Sequence, residues 1–156
     1  MNPEVKTYDG VAFIARGDAV IVVYKAPAKL HRSRWLFDLA DRAVAQNPDG
    51  IVGLMVILPT ADPPDAPTRA ENSVRMRKLA PGLRRFVTVA IGDDFRMAVV
   101  RTVIRAISVL QGKSKVHQIV DSAEQGIKRM LEAAGPNTPG PVQLMLDLKA
   151  AYQALG

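Results

Sequence analysis

The hydrophobic pattern of the chain is clearest at residues 51–58, which have the sequence IVGLMVIL. Residues 48–50 (PDG) precede this run and Pro59 follows it, so turn signals bound it on both sides. A short apolar run with such boundaries is typical of a strand buried on both faces of a largely parallel sheet. A membrane-spanning helix needs about 20 apolar residues, so the run at residues 51–58 is too short to be one. The run therefore predicts an interior β-strand, in which Gly53 indicates close approach by a neighbouring element.

Four further runs predict the rest of the sheet. Residues 11–15 and 19–24 are rich in β-branched side chains and are separated by a glycine-containing turn, which predicts a β-hairpin. Residues 86–91 form another continuous apolar run, whereas residues 115–120 alternate and suit a sheet edge. We expect a mixed five-stranded sheet with residues 19–24, 51–58 and 86–91 in its interior.

Helical periodicity alternates with these strands. Apolar side chains recur at helical spacing over residues 32–46 and more sparsely over residues 68–79, so the second helix should be the more exposed. The sequence TRAE at residues 68–71 matches a capping box at its start. A third helix should follow the acidic caps at residues 93–94, and a fourth should begin at residues 121–122.

The C-terminal part has a different organisation. Residues 135–141 (GPNTPGP) cannot continue a helix and predict a linker. Residues 142–155 then form an amphipathic helix, whose apolar stripe is Met145, Leu148, Tyr152 and Leu155. An isolated helix of this length is marginal in water, so the stripe must be covered. The prolines should hold this helix away from the preceding one, which favours a homodimer over packing within the chain. The expected organisation is a domain of residues 1–134, the linker, and a C-terminal helix within residues 142–156.

Composition narrows the class of protein. The 156 residues suit one domain, and 48% hydrophobic with 23% charged residues is ordinary for a globular chain. The absence of cysteine excludes disulfides and thiolate chemistry, and it agrees with a cytoplasmic location. Charged residues near the N-terminus argue against a secretory signal, and Arg101 and Arg105 interrupt the most apolar helix, so no membrane span is expected. The net charge of +6 is spread along the chain and indicates a solvated surface.

The predicted element order is β-β-α-β-α-β-α-β-α with an appended helix, which indicates an α/β fold with right-handed parallel crossovers. Together with the closing sequence VHQIVDSAEQGIKRML at residues 116–131, this order resembles the STAS domain family. Within that family the chain is most similar to the stand-alone bacterial branch of anti-sigma-factor antagonists. The resemblance covers residues 8–134 and implies a regulatory domain that signals through contacts with a protein partner.

The same resemblance implies one candidate for modification. Partner-switching members of the family carry a phosphorylatable Ser or Thr, usually after Asp, at the start of the helix that follows the central strand. In this chain that place is taken by the proline-rich loop at residues 59–67 and by Thr68, which follows Pro67. Thr68 is therefore the residue that could be modified, and an ordinary helix cap is its alternative role.

Acidic and imidazole groups are the next candidates. In open α/β sheets, ligands bind beyond the carboxyl ends of the strands. The acidic residues predicted there are Asp62, Asp65, Asp93, Asp94 and Asp121. They could bind Mg²⁺, but helix capping explains the last three as well. The chain has only two histidines, His31 and His117, and these lack the spacing of a zinc site.

The densest basic run offers a possible interaction patch, consisting of Arg75, Arg77, Lys78, Arg84 and Arg85. Arginine suits the recognition of an anionic partner, but no aromatic residue interleaves the run, so nucleic acid is not expected as a partner. No nucleophile–base pair, phosphate loop or metal-ligand spacing is apparent. We therefore predict a non-enzymatic, cofactor-free regulatory or protein-interaction domain. The alternative is a small-ligand or phosphate-binding protein, or an enzyme, that uses polar groups at the strand ends.

Overall fold

A computed structural model of the chain describes residues 3–92, 97–98, 101–102, 105 and 116–156. The strands are β1 (Lys6–Tyr8), β2 (Val11–Arg16), β3 (Ala19–Tyr24), β4 (Ile51–Ile57), β5 (Leu83–Ala90) and β6 (His117–Val120). The helices that lie wholly within the described residues are α1 (Leu30–Gln46), α2 (Ala66–Leu79), α3 (Ala123–Leu131) and α4 (Pro141–Ala154), with a 3-10 turn at Ala80–Gly82. Between β5 and β6, residues 97–98, 101–102 and 105 are helical.

The strands form one mixed sheet in the order β1-β2-β3-β4-β5-β6. Pairing is antiparallel from β1 to β3 and parallel from β3 to β6. The predicted hairpin and the three predicted interior strands are confirmed. The prediction of five strands is wrong, because β1 adds a sixth. Its three residues are all exposed and lack an apolar pattern, so nothing in their sequence signalled a strand.

Helices cover both faces of the sheet. Consecutive parallel strands joined by right-handed crossovers place the connecting helices on one face. Accordingly, Leu36 of α1 and Leu79 of α2 pack in one core with Val22 of β3. On the opposite face, Met130 of α3 and Leu148 of α4 pack in a second core. β4 contributes to both cores, and six of its seven residues are buried. The predicted α/β class is confirmed.

Two helix caps test the sequence patterns directly. The Ser122 hydroxyl accepts a hydrogen bond from the Gln125 amide at 3.2 Å, as predicted for the helix that is α3 here. At α2 the prediction is wrong, because the helix begins at Ala66 and its cap is Asp65. The Asp65 carboxylate accepts from the Thr68 amide at 2.9 Å, so Thr68 lies inside the first turn. The predicted caps at residues 93–94 lie outside the described residues.

The C-terminal helix packs on its own chain. Leu148 and Ala151 are buried in the second core, and Tyr152 and Leu155 pack against it. Met145 is the one residue of the predicted stripe that points outward, with 42% of its surface exposed. The expectation that the prolines hold this helix away is therefore wrong. The apolar stripe is covered within the chain, so it no longer supports homodimerisation. Homodimerisation stays a prediction.

Polar contacts explain why the linker does not separate α4 from the sheet. Arg16 donates to Asp147 of α4 at 2.7 Å, and the Asp147 side chain is only 7% exposed. The Thr138 hydroxyl donates to Asp18 at 2.6 Å, and Arg84 donates to the other oxygen of Asp18 at 2.8 Å. The linker is thus tied to the β2–β3 turn and to the start of β5. In the described part of the chain, no helix is long and apolar enough to cross a bilayer.

Gly126 provides a test of the packing of α3. A Cβ atom at this position would lie 2.6 Å from a Val89 methyl group and 2.7 Å from a Leu54 methyl group. Overpacking costs about 1–3 kcal/mol, whereas alanine gains roughly 1 kcal/mol over glycine inside a helix. We expect Gly126→Ala to lower the free energy of unfolding by about 1 kcal/mol net in urea denaturation.

Gly140→Ala is the comparison variant, because a Cβ there meets no atom within 4 Å and the change costs only a poorer N-cap of α4, roughly 0.5 kcal/mol. Gly126→Ala should therefore be the less stable of the two variants. A Gly126→Ala variant more stable than wild type would show that α3 does not lie this close to the sheet.

Candidate ligand-binding site

An apolar cavity of about 140 Å³ lies between the sheet and helices α1 and α2. It follows β4 from Ile51 to Ile57 and reaches β5 and β6 at its side. Among its larger lining side chains are Val22, Phe37, Met55, Met76 and Phe86. Concave, mostly apolar spaces with a few polar groups are the usual form of small-molecule sites. This cavity is therefore the strongest candidate for a site in the described part of the chain.

Small side chains create the space on the side of the sheet and α1. Gly53 lies on β4, Ala40 on α1, and Ala28 and Ala61 on the loops beside them, and all four line the cavity. At Gly53 a Cβ atom would lie 2.9 Å from the Phe86 ring, which confirms the close approach that this glycine predicted. Larger side chains at these positions would fill the volume.

Helix α2 leaves the remaining space open. The residues that it turns inwards are Thr68, Asn72, Met76 and Leu79, spaced by four, four and three positions. Two of these are short and polar, whereas a helix on a sheet usually presents an apolar stripe. The sparse apolar pattern predicted that α2 would be exposed. Because of the same pattern, α2 covers the sheet without filling the space beneath it.

Among the described residues, the polar ones that line the cavity are Tyr24, Asp62, Asn72 and His117. Burial raises the pKa of Tyr24, so its phenol stays protonated. The Asn72 Oδ1 atom is buried and has no hydrogen-bond partner within the described part of the chain. Asp62 is exposed and lies at the end of β4 where the cavity approaches the surface.

His117 is the one imidazole in the described lining. Burial lowers its pKa from 6.5 to about 4, so the ring is neutral at pH 7. Its Nε2 atom lies 2.9 Å from the hydroxyl oxygen of Thr88, which is fully buried. The ring also packs on Phe86 with a centroid separation of 5.0 Å. The other histidine, His31, lies elsewhere and is bonded to Asp9 at 2.7 Å, which lowers the pKa of Asp9.

The loop after β4 forms the wall of the cavity at the carboxyl end of the sheet. Ala61, Asp62 and Pro64 all line it. The Thr60 hydroxyl donates to the Lys25 carbonyl at 2.6 Å, which fastens the loop to the end of β3. Thr68 lies behind this loop and is fully buried. Modification of Thr68 stays a prediction, and it would require the first turn of α2 to open.

The structure disperses the other acidic candidates. Asp65 caps α2, and Asp121 pairs with Arg101 at 3.0 Å. Asp93 and Asp94 are outside the described residues. Across the described ranges, no group of three or more histidine and acidic residues is arranged to bind a metal ion. Of the three predicted strand-end acids that the structure describes, Asp62 is the one that lines the cavity.

The five basic candidates are not assembled into one patch. Arg75 bridges Asp38 and Asp41 of α1 at 2.9 and 3.0 Å. Arg84 donates to Asp18 and to the backbone of the β4 entry and of Ala133. Arg85 donates to the Arg129 carbonyl on the opposite face of the sheet. The remaining two, Arg77 and Lys78, are exposed on α2. All four guanidinium groups donate hydrogen bonds within the chain, that of Arg77 to the Ser73 carbonyl of its own helix.

The pKa of His117 predicts how stability depends on pH. An unfolded histidine takes up its proton near pH 6.5, whereas the folded one does so near pH 4. Above pH 6.5 the neutral ring does not lower the free energy of unfolding. As the pH falls from 6.5 towards 4, the unfolded chain takes up the proton first, and the free energy of unfolding falls by roughly 3 kcal/mol in total. We expect His117→Gln to remove that share of the pH dependence in urea denaturation between pH 7 and pH 4.5.

His31→Gln is the control, because His31 is exposed and lies away from the cavity. The His31→Gln variant should keep most of the loss in unfolding free energy that the wild-type chain shows between pH 7 and pH 4.5. Equal loss of stability in wild type and His117→Gln over this range would contradict a buried, neutral His117.

Comparison of the sequence with known protein families and with curated proteins gave no match. The cavity and the resemblance in element order are therefore the observations from which a function can be proposed.

Proposed function

We propose that this chain is a non-enzymatic, STAS-like regulatory domain that binds a small apolar ligand in the cavity beneath α1 and α2. The observation that carries the proposal is the cavity itself, about 140 Å³ in volume and lined mainly by apolar side chains. An engineered cavity of about 150 Å³ in another protein stays dry and binds benzene. The space in this chain is thus large enough for a ligand of roughly that size.

The position of the cavity links ligand binding to regulation. Its wall at the carboxyl end of the sheet is the loop between β4 and α2. In the family that the chain resembles, the regulatory residue stands where this loop meets the helix. A ligand that packs against Ala61 and Pro64 would change how firmly the loop is held. We propose that a cytoplasmic protein partner recognises the loop and distinguishes its two states.

The cavity favours binding over catalysis. A general base works best when its pKa lies near the operating pH. The pKa of His117 is about 4, so its neutral ring is a weak base. Its Nε2 atom lies at hydrogen-bonding distance from the Thr88 hydroxyl, which is a neutral group. These properties support a non-enzymatic role, with an enzyme acting at the strand ends as the alternative.

Filling the cavity tests the proposal. Ala40→Leu adds three carbon atoms to a residue of α1 that lines the space. We expect n-hexane and toluene, as probes of two apolar shapes, to raise the melting temperature of the wild-type chain, because a ligand bound only to the folded state stabilises it. In Ala40→Leu this shift should be lost, since the added atoms occupy the site. Differential scanning calorimetry measures both effects.

Ala45→Leu is the matched control, because Ala45 lies on the exposed side of the same helix. Its shifts with both probes should equal those of wild type. Absence of any shift in the wild-type chain, or the same shift in Ala40→Leu, would contradict ligand binding in this cavity.

A further inference from the structure

We propose that the ligand enters the cavity through the seam between helices α1 and α2, and that the ion pairs across this seam form a gate whose central residue is Arg75. This inference rests on the proposed function, because it describes how the ligand of the cavity reaches its site. It follows from the side chains at the seam, from the strength of the contacts that close it and from the small buried face of α2.

The seam between α1 and α2 extends from the cavity to the surface. Phe37 and Ala40 of α1 and Met76 of α2 all line the cavity. Each of them is also partly exposed to solvent and packs at the margin of the first core. The unbranched thioether side chain of Met76 adapts to neighbours of different shape. Because these side chains contact both the cavity and solvent, a small separation of the two helices would connect the two.

Charged side chains join the two helices across this seam. Arg34 of α1 pairs with Glu71 of α2 at 2.9 Å. Arg75 of α2 bridges Asp38 and Asp41 of α1 at 2.9 and 3.0 Å. The pair of Arg34 with Glu71 and that of Asp38 with Arg75 each join residues 37 positions apart. The two pairs therefore share one register, in which opposite charges face each other when the helices are closed.

Arg75 also covers a ring that closes the cavity. Its guanidinium carbon lies 5.4 Å from the centroid of the Phe37 ring, which is within the range of a cation–π contact. Phe37 lines the cavity, whereas Arg75 is not part of the lining. Arg75 thus holds Phe37 in place from outside the site. Its loss should change how fast a ligand passes, without changing how tightly the filled site holds it.

The contacts across the seam are weak enough to open. The side chains of Arg75, Asp38 and Asp41 are 22%, 62% and 52% exposed. Breaking an exposed ion pair changes an equilibrium by only about 1.5–5-fold, and salt screens such a pair. The pair of Arg16 with Asp147 on the opposite face is different, because the Asp147 side chain is only 7% exposed and its charge would be left unpaired.

Helix α2 has a small buried face to hold it on the sheet. Its buried residues are Thr68 in the first turn and Leu79 at the C-terminal end. Elements with few buried apolar contacts open at low free energy. The strands beneath α2 are joined by continuous ladders of backbone hydrogen bonds. Movement of α2 away from α1 is therefore the opening that disturbs the fold least.

The loop after β4 is the alternative route, since Ala61 and Pro64 also line the cavity. This loop is fixed by directional hydrogen bonds. The Thr60 hydroxyl donates to the Lys25 carbonyl at 2.6 Å, and the Ala61 amide donates to the Leu58 carbonyl at 3.0 Å. Its prolines also restrict the backbone φ angles. The seam, which is held by exposed ion pairs, is the easier route.

The exchange rates of a bound probe test the gate. Fluorine-19 relaxation dispersion measures the exchange of 4-fluorotoluene on the microsecond-to-millisecond timescale, and a titration gives its Kd. We expect Arg75→Gln to raise both the association and the dissociation rate constant about 2–5-fold, because the open seam becomes more populated. Since both rate constants change by the same factor, the Kd should stay equal to that of the wild-type chain.

Arg77→Gln is the matched control, because it removes the same charge from α2 at an exposed residue that bonds the Ser73 carbonyl of its own helix. It should exchange the probe at wild-type rates. Thr60→Val removes the tie of the loop to β3 and should also leave the rates unchanged. Raising NaCl from about 0.05 to about 0.5 M should speed exchange in wild type and Arg77→Gln, and less so in Arg75→Gln.

The outcomes separate the gate from the proposed function. Equal rates in wild type and Arg75→Gln, or salt-independent rates in wild type, would overturn the gate while ligand binding stands. Faster exchange in Thr60→Val alone would place entry at the loop and overturn entry at the seam. A higher Kd in Arg75→Gln with an unchanged association rate constant would make Arg75 part of the site and overturn its role as a gate. If toluene, n-hexane and 4-fluorotoluene all fail to bind the wild-type chain, the proposed function itself is wrong.

Discussion

Burial of β4 on both faces is the constraint on which the rest of the structure depends. Val52, Leu54 and Val56 face one core and have no exposed surface, while Ile51 and Ile57 face the other. A strand of this composition is stable only if helices cover both sides of the sheet. The connections between parallel strands supply helices to one face only, because right-handed crossovers repeat on the same side. The other face must be covered by elements that follow the last strand, which are α3 and α4.

The two faces are packed to different densities. On the side of α3, Gly126 brings the helix so close that a single added carbon would meet Val89 and Leu54. On the side of α2, short or polar residues leave a cavity of about 140 Å³. An unfilled apolar space costs free energy, because the side chains that line it lack van der Waals partners on one side. A ligand that fills it would recover part of that free energy, so the looser face is where binding is energetically favoured.

Partly buried ion pairs fix the C-terminal helix in place. Arg16 pairs with Asp147 of α4. Arg84 pairs with Asp18, which also accepts a hydrogen bond from Thr138 of the linker. Asp18 and Asp147 are nearly inaccessible to solvent, so removing either arginine would leave an uncompensated buried charge. One of these pairs uses Arg84, a residue of the predicted interaction patch, which thus contributes to the scaffold of the chain. The cavity lies on the other face and is independent of them.

The sequence by itself determined the types of the predicted strands and helices that the structure describes, the interior position of β3, β4 and β5, a cap at residues 121–122 and the close approach at Gly53. These features depend on local periodicity, turn residues and backbone conformation. Each of these is a property of a short segment of the sequence. Tertiary structure alone decided the partners of distant side chains. It placed the stripe of α4 against its own sheet, separated the five basic residues, made Asp65 the cap of α2, and brought Asn72 and His117 to one cavity. Such outcomes depend on how much space remains between packed elements, and that volume is a property of the whole fold, not of any one segment.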